Sequence, residues 1–223
     1  MVKVVTFLKR KSGMPVEEFQ NYWRTRHPEV VIPLPGLRRY VQSHVLPSAY
    51  RKGEPVYDGI AEVWAEDTNA LRAMTRSAEY AHVQADEANF IDRGRMGFIV
   101  TEDHVIKDGA VSADAVKNVE FARRKPGMPV DEFQRYWREV HGPLAARIPA
   151  IRRYVQSHTR RSAYEAARVP VWDGLAIAWF DSTQAIRDAG GTAEYAEAVA
   201  DRANFLAPEP MTFIITKEHV IVP

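Results

Sequence analysis

Residues that could move protons occur as equivalent pairs along this sequence. His27 and His44 are repeated as His141 and His158, and a tyrosine at position 40 recurs at position 154. An imidazole titrates near neutral pH and can act as a general acid or base. A tyrosine hydroxyl can hydrogen-bond an oxygen that gains negative charge during a reaction. The pairs therefore favour acid–base chemistry, provided that the fold brings them to one pocket.

Two carboxylates break this pairing. Glu62 has Ile177 as its counterpart, and Glu120 has Thr6. On an apolar wall, desolvation would raise the pKa of either carboxylate, which could then act as an acid or base near neutral pH. Alternatively, either glutamate pairs with a nearby arginine and only supports the structure. Both readings of Glu62 and Glu120 remain open at this point.

Other chemistries are excluded by composition or by missing motifs. The chain contains no cysteine, which rules out disulfides, thiolate nucleophiles and cysteine-ligated metals. It also contains no Gly-x-Ser-x-Gly, His-Glu-x-x-His, Walker or Gly-x-Gly-x-x-Gly motif. The histidines show no metal-ligand spacing. We therefore expect neither a metal nor another cofactor.

The charge balance argues against two classes of partner. Among 223 residues, 30 Lys and Arg oppose 29 Asp and Glu, for a formal net charge of +1. A nucleic-acid binder usually carries a strong basic field, which this sequence lacks. No apolar run approaches the roughly 20 residues that span a bilayer. We expect a cytoplasmic protein that binds neither nucleic acid nor membrane.

The chain is a tandem duplication of one unit. The segment from Lys11 to Arg24 is answered, 114 residues later, by the segment from Lys125 to Arg138. The motif Arg-Arg-Tyr-Val-Gln-Ser-His at 38–44 recurs at 152–158. From Asp58 onwards the offset is 115, because one residue was inserted. The repeat predicts a first module at 1–106, a linker at 107–115 and a second module at 116–223.

Within a module the patterns predict the order βαββαβ. The first module shows apolar alternation typical of strands and helical spacing after Pro15 and before Phe90. The predicted strands are 2–9, 37–46, 57–65 and 96–106, and the predicted helices are 14–26 and 68–90. This order is that of a ferredoxin-like α+β module with both helices on one sheet face. Because the other sheet face would be exposed, we expect the two modules to form an intramolecular, pseudo-dimeric α+β barrel with a pocket between the sheets.

Strand alternation predicts which side chains face that pocket. Val5 and Phe7 are retained in the second module and are predicted to face the helices, whereas the alternate positions have diverged to Asn118 and Glu120. Glu62 falls on the predicted pocket side of its strand, beside Trp64. The remaining residues predicted to bind substrate there are Arg38, Tyr40, Gln42, Trp64, Arg152, Tyr154, Gln156 and Trp179, and the predicted catalytic histidines of this face are His44 and His158.

The remaining candidate pair lies at the ends of the first helices. His27 and His141 precede proline-containing loops that are expected to border the pocket. There an imidazole could give or take a proton. Alternatively, each histidine only interacts with the negative end of the helix dipole.

These repeated motifs resemble the EthD family of dimeric α+β barrel proteins. The resemblance rests on Pro-Val-(Glu/Asp)-Glu-Phe-Gln-x-Tyr-Trp-Arg-x-x-His at 15–27 and 129–141, on Arg-Arg-Tyr-Val-Gln-Ser-His, and on Asp-Gly-x-Ala-x-x-Trp. It covers nearly all of both modules. The resemblance implies the barrel architecture. It also implies an activity from the range found in related barrel proteins, which includes cofactor-free dehydratases, decarboxylases, cyclases, isomerases and monooxygenases, and haem-degrading enzymes.

Three functions are consistent with these features. The first is a cofactor-independent acid–base enzyme of dehydratase, isomerase or cyclase type, acting on a small hydrophobic or aromatic metabolite. The second is a non-catalytic binding or accessory protein for a hydrophobic catabolic intermediate. A cofactor-free monooxygenase is a variant of the first, and haem binding is the third. In each case the partner is a small hydrophobic or aromatic molecule, and the protein is a monomeric pseudo-dimer or an oligomer of it.

Overall fold

The computed structural model describes residues 1–165 and 169–223 and divides into two compact units. Unit 1 comprises Met1–Thr101 and Thr216–Pro223, and unit 2 comprises Glu102–Ile215. The fourth strand of each repeat therefore has its first part in one unit and its last part in the other. The predicted module boundaries follow the repeat and stay a prediction. No helix in the described part of the chain is long and apolar enough to cross a membrane.

Unit 1 follows the predicted order of elements. Its sheet runs in the order β4 (Gly97–Asp108), β1 (Val2–Leu8), β3 (Gly59–Ala65), β2 (Leu37–Val45) and β8 (Thr212–Val222), with antiparallel pairs. Thr6, Ala61 and Gln42 lie side by side across three of these strands. Its elements are β1 (Val2–Leu8), α1 (Val16–Thr25), α2 (Pro28–Val31), β2 (Leu37–Val45), β3 (Gly59–Ala65), α3 (Thr68–Thr75), α4 (Ala78–Phe90) and the strand β4 (Gly97–Asp108), which begins in this unit.

Local sequence explains the helix that precedes the first histidine. Pro15 precedes the first turn of α1, and Glu17 and Glu18 lie in that turn, where the helix dipole favours negative charge. Phe19 and Trp23 are four residues apart, so they lie on one face of the helix, and both are fully buried. They pack with Leu8, Phe90 and Ile91 against the sheet.

The predicted long helix over 68–90 is two helices in the structure. Asp67 caps α3, and its carboxylate accepts hydrogen bonds from the backbone N–H groups of Asn69 and Ala70. Ser77 then interrupts the helix and caps α4 by accepting from the N–H of Tyr80. A second capping residue inside a helical pattern was the sequence signal for this break.

Unit 2 repeats the same plan. Its strand order is β8–β5–β7–β6–β4, again with antiparallel pairs where β5 and β6 flank β7. Its elements are β5 (Val116–Ala122), α5 (Val130–Tyr136), α6 (Gly142–Ala146), β6 (Arg153–Thr159), α7 (Ser162–Glu165), β7 (Gly174–Phe180), α8 (Thr183–Ala189), α9 (Ala193–Asp201) and β8 (Thr212–Val222), and a π-helical turn at Trp137–His141 joins α5 to α6.

One glycine in each unit is required by the packing of helix on sheet. A Cβ atom on Gly59 would lie 2.5 Å from the Trp23 ring, and one on Gly174 would lie 2.7 Å from the Trp137 ring. The two tryptophans are thus held against strands that have no side chain at this point. The α+β class and the two ferredoxin-like modules predicted from the sequence are confirmed.

Candidate functional site

Unit 1 contains a cavity of about 170 Å³ between its sheet and its helices. Its polar lining comes from Thr6 on β1, His27 before α2, Tyr40 on β2 and Glu87 on α4. The remaining walls are mostly apolar and come from both layers, namely Val4, Leu8, Val31, Leu34, Ala61, Val63, Leu71, Met74, Thr75, Tyr80, Val83, Ile91, Met96, Phe98 and Val100.

The face predicted for β1 was wrong. Thr6 lines the cavity on the helix side of the sheet, together with its strand neighbours at positions 4 and 8. Because strand side chains alternate, Val5 and Phe7 point to the opposite face, where Phe7 stacks on Tyr57. Both residues are fully buried, so burial alone could not show which face they occupy.

The face predicted for β2 was also wrong, and a β-bulge explains the error. The register of β2 against β3 shifts between Leu37 and Arg39. Leu37 packs in the helix-side core, but the extra residue inverts the alternation that follows. Tyr40 therefore shares the helix side with Leu37, and Val41 takes the opposite face.

His27 is held by an acidic partner that the sequence did not reveal. Its Nδ1 lies 2.7 Å from Oδ2 of Asp86, and the hydroxyl of Tyr22 donates to Oδ1 of the same carboxylate at 2.6 Å. Burial opposes ionisation of Asp86, but these hydrogen bonds outweigh it and lower the pKa of the carboxyl group. The ionised partner fixes the proton on Nδ1, so Nε2 of His27 carries the free lone pair.

Burial lowers the pKa of His27 below its ordinary value, although the bond to Asp86 opposes the shift. The imidazole is therefore neutral near pH 7. A neutral imidazole with an oriented Nδ1–H and an unprotonated Nε2 is the form that accepts a proton. His27 is thus the predicted proton-transfer residue that the structure brings to the cavity of unit 1.

Tyr40 is positioned as a hydrogen-bond donor to the cavity. Its phenol oxygen accepts from Nε1 of Trp23 at 3.2 Å and from Nε2 of Gln42 at 2.9 Å. Complete burial raises the pKa of Tyr40, so the hydroxyl keeps its proton. With both acceptor positions of the oxygen used, that proton is free to bond an oxygen of a bound molecule.

Glu87 is a cavity carboxylate that sequence reasoning missed. It is 9% exposed, and burial raises its pKa above the ordinary value of a glutamate. The sequence signal was a charge reversal, since the equivalent position 115 residues later is Arg202. Strand alternation, which guided the predictions, does not apply to a residue on a helix.

Gln42 and His44 support the cavity rather than line it. The side-chain amide of Gln42 donates to the carbonyl of Trp23, and its Oε1 accepts from Nε2 of His44 at 2.9 Å. The His44 ring stacks on Trp23 with a centroid distance of 4.2 Å, and His219 contacts it edge-on. Burial, with His219 as a smaller cause, lowers the pKa of His44 to about 3. The prediction of His44 as a pocket acid or base is corrected.

Glu62 and Trp64 do not line the described cavities. Their neighbours Ala61 and Val63 face the cavity, so Glu62 lies on the other sheet face, where Nζ of Lys3 donates to it at 3.0 Å. Both charged side chains are buried. The ammonium group of Lys3 also lies 5.2 Å from the Trp64 ring. The supporting ion-pair reading of Glu62 therefore matches the structure better than the catalytic reading.

Two arginines predicted to bind substrate are exposed instead. Arg38 forms an ion pair with Glu66, and Arg152 forms one with Asp181. Arg38 lies at the bulge in β2, which turns its side chain away from the cavity. Neither arginine lines the cavity that contains His27 or the cavity that contains His141.

Unit 2 has an equivalent cavity of about 190 Å³. The predicted residues Asn118, Glu120, His141 and Tyr154 line it, together with Arg202. Divergence between the repeats thus identified Asn118 and Glu120 correctly as cavity residues, although on the helix side of the sheet. The remaining lining is Ala145, Ile148, Ile151, Ala176, Ala178, Phe180, Ile186, Ala189, Tyr195, Ala198, Val199, Met211 and Phe213.

The hydrogen-bonded pair of a histidine and an aspartate recurs in this second cavity. Nδ1 of His141 lies 2.9 Å from Oδ2 of Asp201, and the hydroxyl of Tyr136 donates to the same carboxylate at 2.6 Å. Burial lowers the pKa of His141 and raises that of Tyr154 to about 12. The arrangement of a histidine, an aspartate and a tyrosine is therefore common to both units.

The new polar group of unit 2 is an ion pair inside the cavity. Nη2 of Arg202 donates to both carboxylate oxygens of Glu120, at 3.0 and 2.8 Å. Nδ2 of Asn118 donates to Oε1 of the same carboxylate at 3.2 Å. Glu120 is thus neutralised by a partner, as the alternative reading of this residue proposed.

The other predicted residues of unit 2 repeat the supporting roles seen in unit 1. Gln156 donates to the carbonyl of Trp137, and His158 stacks on the ring of that tryptophan at 4.6 Å. Burial, followed by the neighbouring His104, lowers the pKa of His158 to about 3. The Trp179 ring is contacted by Lys117 and does not line the cavity. Among the described residues, no group of three His, Asp or Glu could hold a metal ion.

Solved structures with similar folds cover nearly the whole chain. An anthrone oxidase-like protein aligns with 98% of this chain and 92% of its own, at 12% identity and a TM-score of 0.66. A putative monooxygenase from Fusobacterium nucleatum aligns over 98% and 93%, at 7% identity and a TM-score of 0.62. One from Lactobacillus acidophilus aligns over 99% and 95%, at 10% identity and a TM-score of 0.59. At these identities the likeness concerns the fold alone.

No curated protein matches the chain significantly. The EthD domain, in contrast, matches it twice, at residues 11–94 and 125–209. Each match includes the helix that precedes a cavity histidine and the helix that carries its aspartate partner. Together the two matches span more than half of the sequence, and the chain is a tandem member of the EthD domain family.

Proposed function

We propose that this protein is a cofactor-independent acid–base enzyme of isomerase or dehydratase type, with its reacting site in the cavity of unit 1. The observation that carries the proposal is the His27–Asp86 pair, which presents a neutral, oriented imidazole to an apolar cavity. Tyr40 supplies a hydroxyl donor to the same space. A base and a donor on one small cavity are the minimum needed to move a proton next to a carbonyl group.

The cavity size limits the substrate to a small molecule. An apolar protein cavity of about 150 Å³ accommodates benzene, and the cavity of unit 1 has about 170 Å³. Its walls include Val31, Leu34 and Met74, which favour an apolar body. The proposed substrate is therefore a one-ring or similarly sized hydrophobic metabolite that carries one carbonyl or phenol oxygen.

The proposed reaction assigns one role to each polar group. Nε2 of His27 takes a proton from the carbon next to the carbonyl, and the negative charge moves to the carbonyl oxygen, where the Tyr40 hydroxyl stabilises it. The proton returns to another carbon in an isomerisation. In a dehydration the departing hydroxyl group takes a proton from a general acid and leaves as water, and the proton held by His27 then replaces the one that the acid gave up. Glu87, whose raised pKa favours the protonated acid, lines the same cavity and is the proposed general acid.

A second candidate is a cofactor-free monooxygenase. The same base would produce a substrate anion, which molecular oxygen could oxidise. If a CH₂ group becomes C=O, one oxygen atom enters the product and the other leaves as water. The folds named as putative monooxygenases and as anthrone oxidase-like support this candidate.

Absorbance spectroscopy tests the proposal. The purified protein is incubated with one-ring enones, lactones and phenols, with and without dissolved oxygen, and spectra are recorded over time. We expect continuous conversion of one compound, slowed at least tenfold by Tyr40→Phe and far less by the equivalent Tyr154→Phe. Conversion only with oxygen selects the monooxygenase. An immediate, saturable spectral change that then stays constant would contradict both candidates and indicate a binding protein.

A further inference from the structure

We infer that the cavity of unit 2 is a second ligand site, specific for a neutral one-ring molecule that carries a hydroxyl or amide N–H donor. This inference concerns a different cavity from the proposed reaction and does not depend on it. The two cavities have similar volumes, about 170 and 190 Å³, but their polar groups differ. The differences form a consistent set that changes what each cavity can bind.

The walls of the second cavity are built from smaller side chains. The positions of Val31, Val63, Met74 and Val83 in unit 1 are all alanine in unit 2. These alanines are Ala145, Ala178, Ala189 and Ala198, and all of them line the cavity. Such truncations would enlarge the space if nothing else changed. The volume is instead taken up by longer polar residues on the strand and on the helix.

Two of those polar residues form an ion pair, which adds no net charge to the cavity. Glu120 occupies the position of Thr6, and Arg202 occupies the position of Glu87. Their side chains are joined by two hydrogen bonds, so neither charge needs a charged ligand as its partner. A cationic ligand would be repelled by Arg202 and an anionic one by Glu120. The cavity therefore favours a neutral molecule.

Asn118 determines which kind of polar group that molecule carries. Its Nδ2 donates to Glu120, and the opposite amide orientation would place two acceptors together, so the orientation is fixed. Its Oδ1 is buried and accepts no hydrogen bond from any described residue. An unsatisfied buried acceptor is costly, and a ligand O–H or N–H would satisfy it. The position of Asn118 in unit 1 is Val4, which offers no such acceptor.

The chain contains a matched pair of reporters for the test. Met96 lines the first cavity, and Met211, at the equivalent position, lines the second. The full-length protein is labelled with ¹³C at the methionine methyl groups and titrated with phenol or with fluorobenzene, which has a similar shape but no donor. Met96→Leu and Met211→Leu assign the two NMR signals.

We expect phenol to shift the Met211 signal at lower concentration than fluorobenzene does, with a larger preference than at Met96. Asn118→Val, which installs the residue of unit 1, should weaken phenol binding at Met211 about fivefold to tenfold and leave fluorobenzene binding unchanged. The Met211 signal without ligand reports whether unit 2 of the variant is folded, and the Met96 signal in the same sample reports this for unit 1. If unit 2 is not folded, the wild-type preference at the two methionines decides. Equal preferences at both methionines, no response of Met211, or unchanged phenol binding in Asn118→Val would overturn the inference.

Discussion

The two cavities share a bonded histidine, aspartate and tyrosine but differ in the charged and amide side chains that would select a ligand. Each has a histidine bonded to an aspartate that also binds a tyrosine. Unit 1 adds Glu87, a carboxyl group that forms no ion pair with any described residue, to apolar walls, whereas unit 2 adds the Glu120–Arg202 pair and Asn118. Duplication within one chain thus allowed each wall to change separately. The positions that did not change maintain the packing and the bonded His–Asp–Tyr arrangement.

The largest expected effect tests whether the bonded histidine and aspartate take part in the proposed reaction in only one unit. In Asp86→Asn, the amide N–H would donate to Nδ1 of His27 and place the ring proton on Nε2, which removes the base. We expect kcat to fall about 100- to 1,000-fold. Asp201→Asn makes the same change in unit 2 and should alter kcat less than about threefold.

Steady-state kinetics on both variants, with urea unfolding as the control, checks this expectation. Each aspartate also binds a tyrosine, so the two variants should lose similar amounts of stability. If Asp201→Asn impairs turnover as strongly as Asp86→Asn, the reaction uses both units equally, and the proposed difference between them is wrong.

The next effect concerns the core, where the two units should behave alike. Gly59→Ala and Gly174→Ala would each force a methyl group into a tryptophan ring and a backbone carbonyl. We expect each substitution to lower the free energy of unfolding by about 2–3 kcal/mol. Denaturant titrations of both variants measure the two losses. A loss in one unit without a similar loss in the other would show that the core, too, has diverged.

The stacked histidines predict a pH dependence that is also shared. Burial lowers the pKa of both His44 and His158 to about 3, from about 6.5 when unfolded. Below pH 6.5 the unfolded chain therefore binds protons that the folded chain excludes, so stability falls as the pH falls. Between pH 7.5 and 5.5 we expect a loss of about 3 kcal/mol for the two residues together.

Urea unfolding at a series of pH values measures this loss. His44→Phe and His158→Phe keep an aromatic ring on the tryptophan and should each reduce the loss between pH 7.5 and 5.5 by about 1.4 kcal/mol. An unchanged dependence in both variants would mean that other groups are responsible for it.

The smallest expected effect has opposite signs in the two cavities. Glu87→Gln removes a carboxylate whose ionisation burial opposes, and should leave stability at pH 7 unchanged or raise it by less than about 1 kcal/mol. Glu120→Gln leaves the guanidinium of Arg202 without its counter-charge and should lower stability by about 1–2 kcal/mol. Thermal unfolding compares the two variants. Equal changes of stability with the same sign would contradict the description of Glu87 as a carboxyl group without an ion pair.

Much of this comparison could be predicted from the sequence. The repeat gave the two modules, and the residues that differ between the repeats included Asn118 and Glu120. The sheet face of the pocket could not be predicted, because the bulge before Arg39 leaves no mark in the alternation that follows it. Val5 and Phe7 are equally apolar and buried, so their pattern was consistent with either face.

The partners of the cavity histidines were missed for a related reason. Asp86 and Asp201 are repeated at the same offset as the surrounding motifs, but on a helix far from the histidines in sequence. Their role depends on how α4 and α9 pack over the sheet, which periodicity does not specify. Glu87 and Arg202 lie next to them and were visible only as a charge reversal between equivalent positions.

The most direct test of the central claim compares His27→Gln with His141→Gln on one substrate. The two substitutions remove equivalent imidazoles, so general effects on folding should cancel. We expect kcat/KM to fall at least 100-fold in His27→Gln and less than about threefold in His141→Gln. The reverse order, or equal losses in both variants, would contradict the assignment of the reaction to the cavity of unit 1.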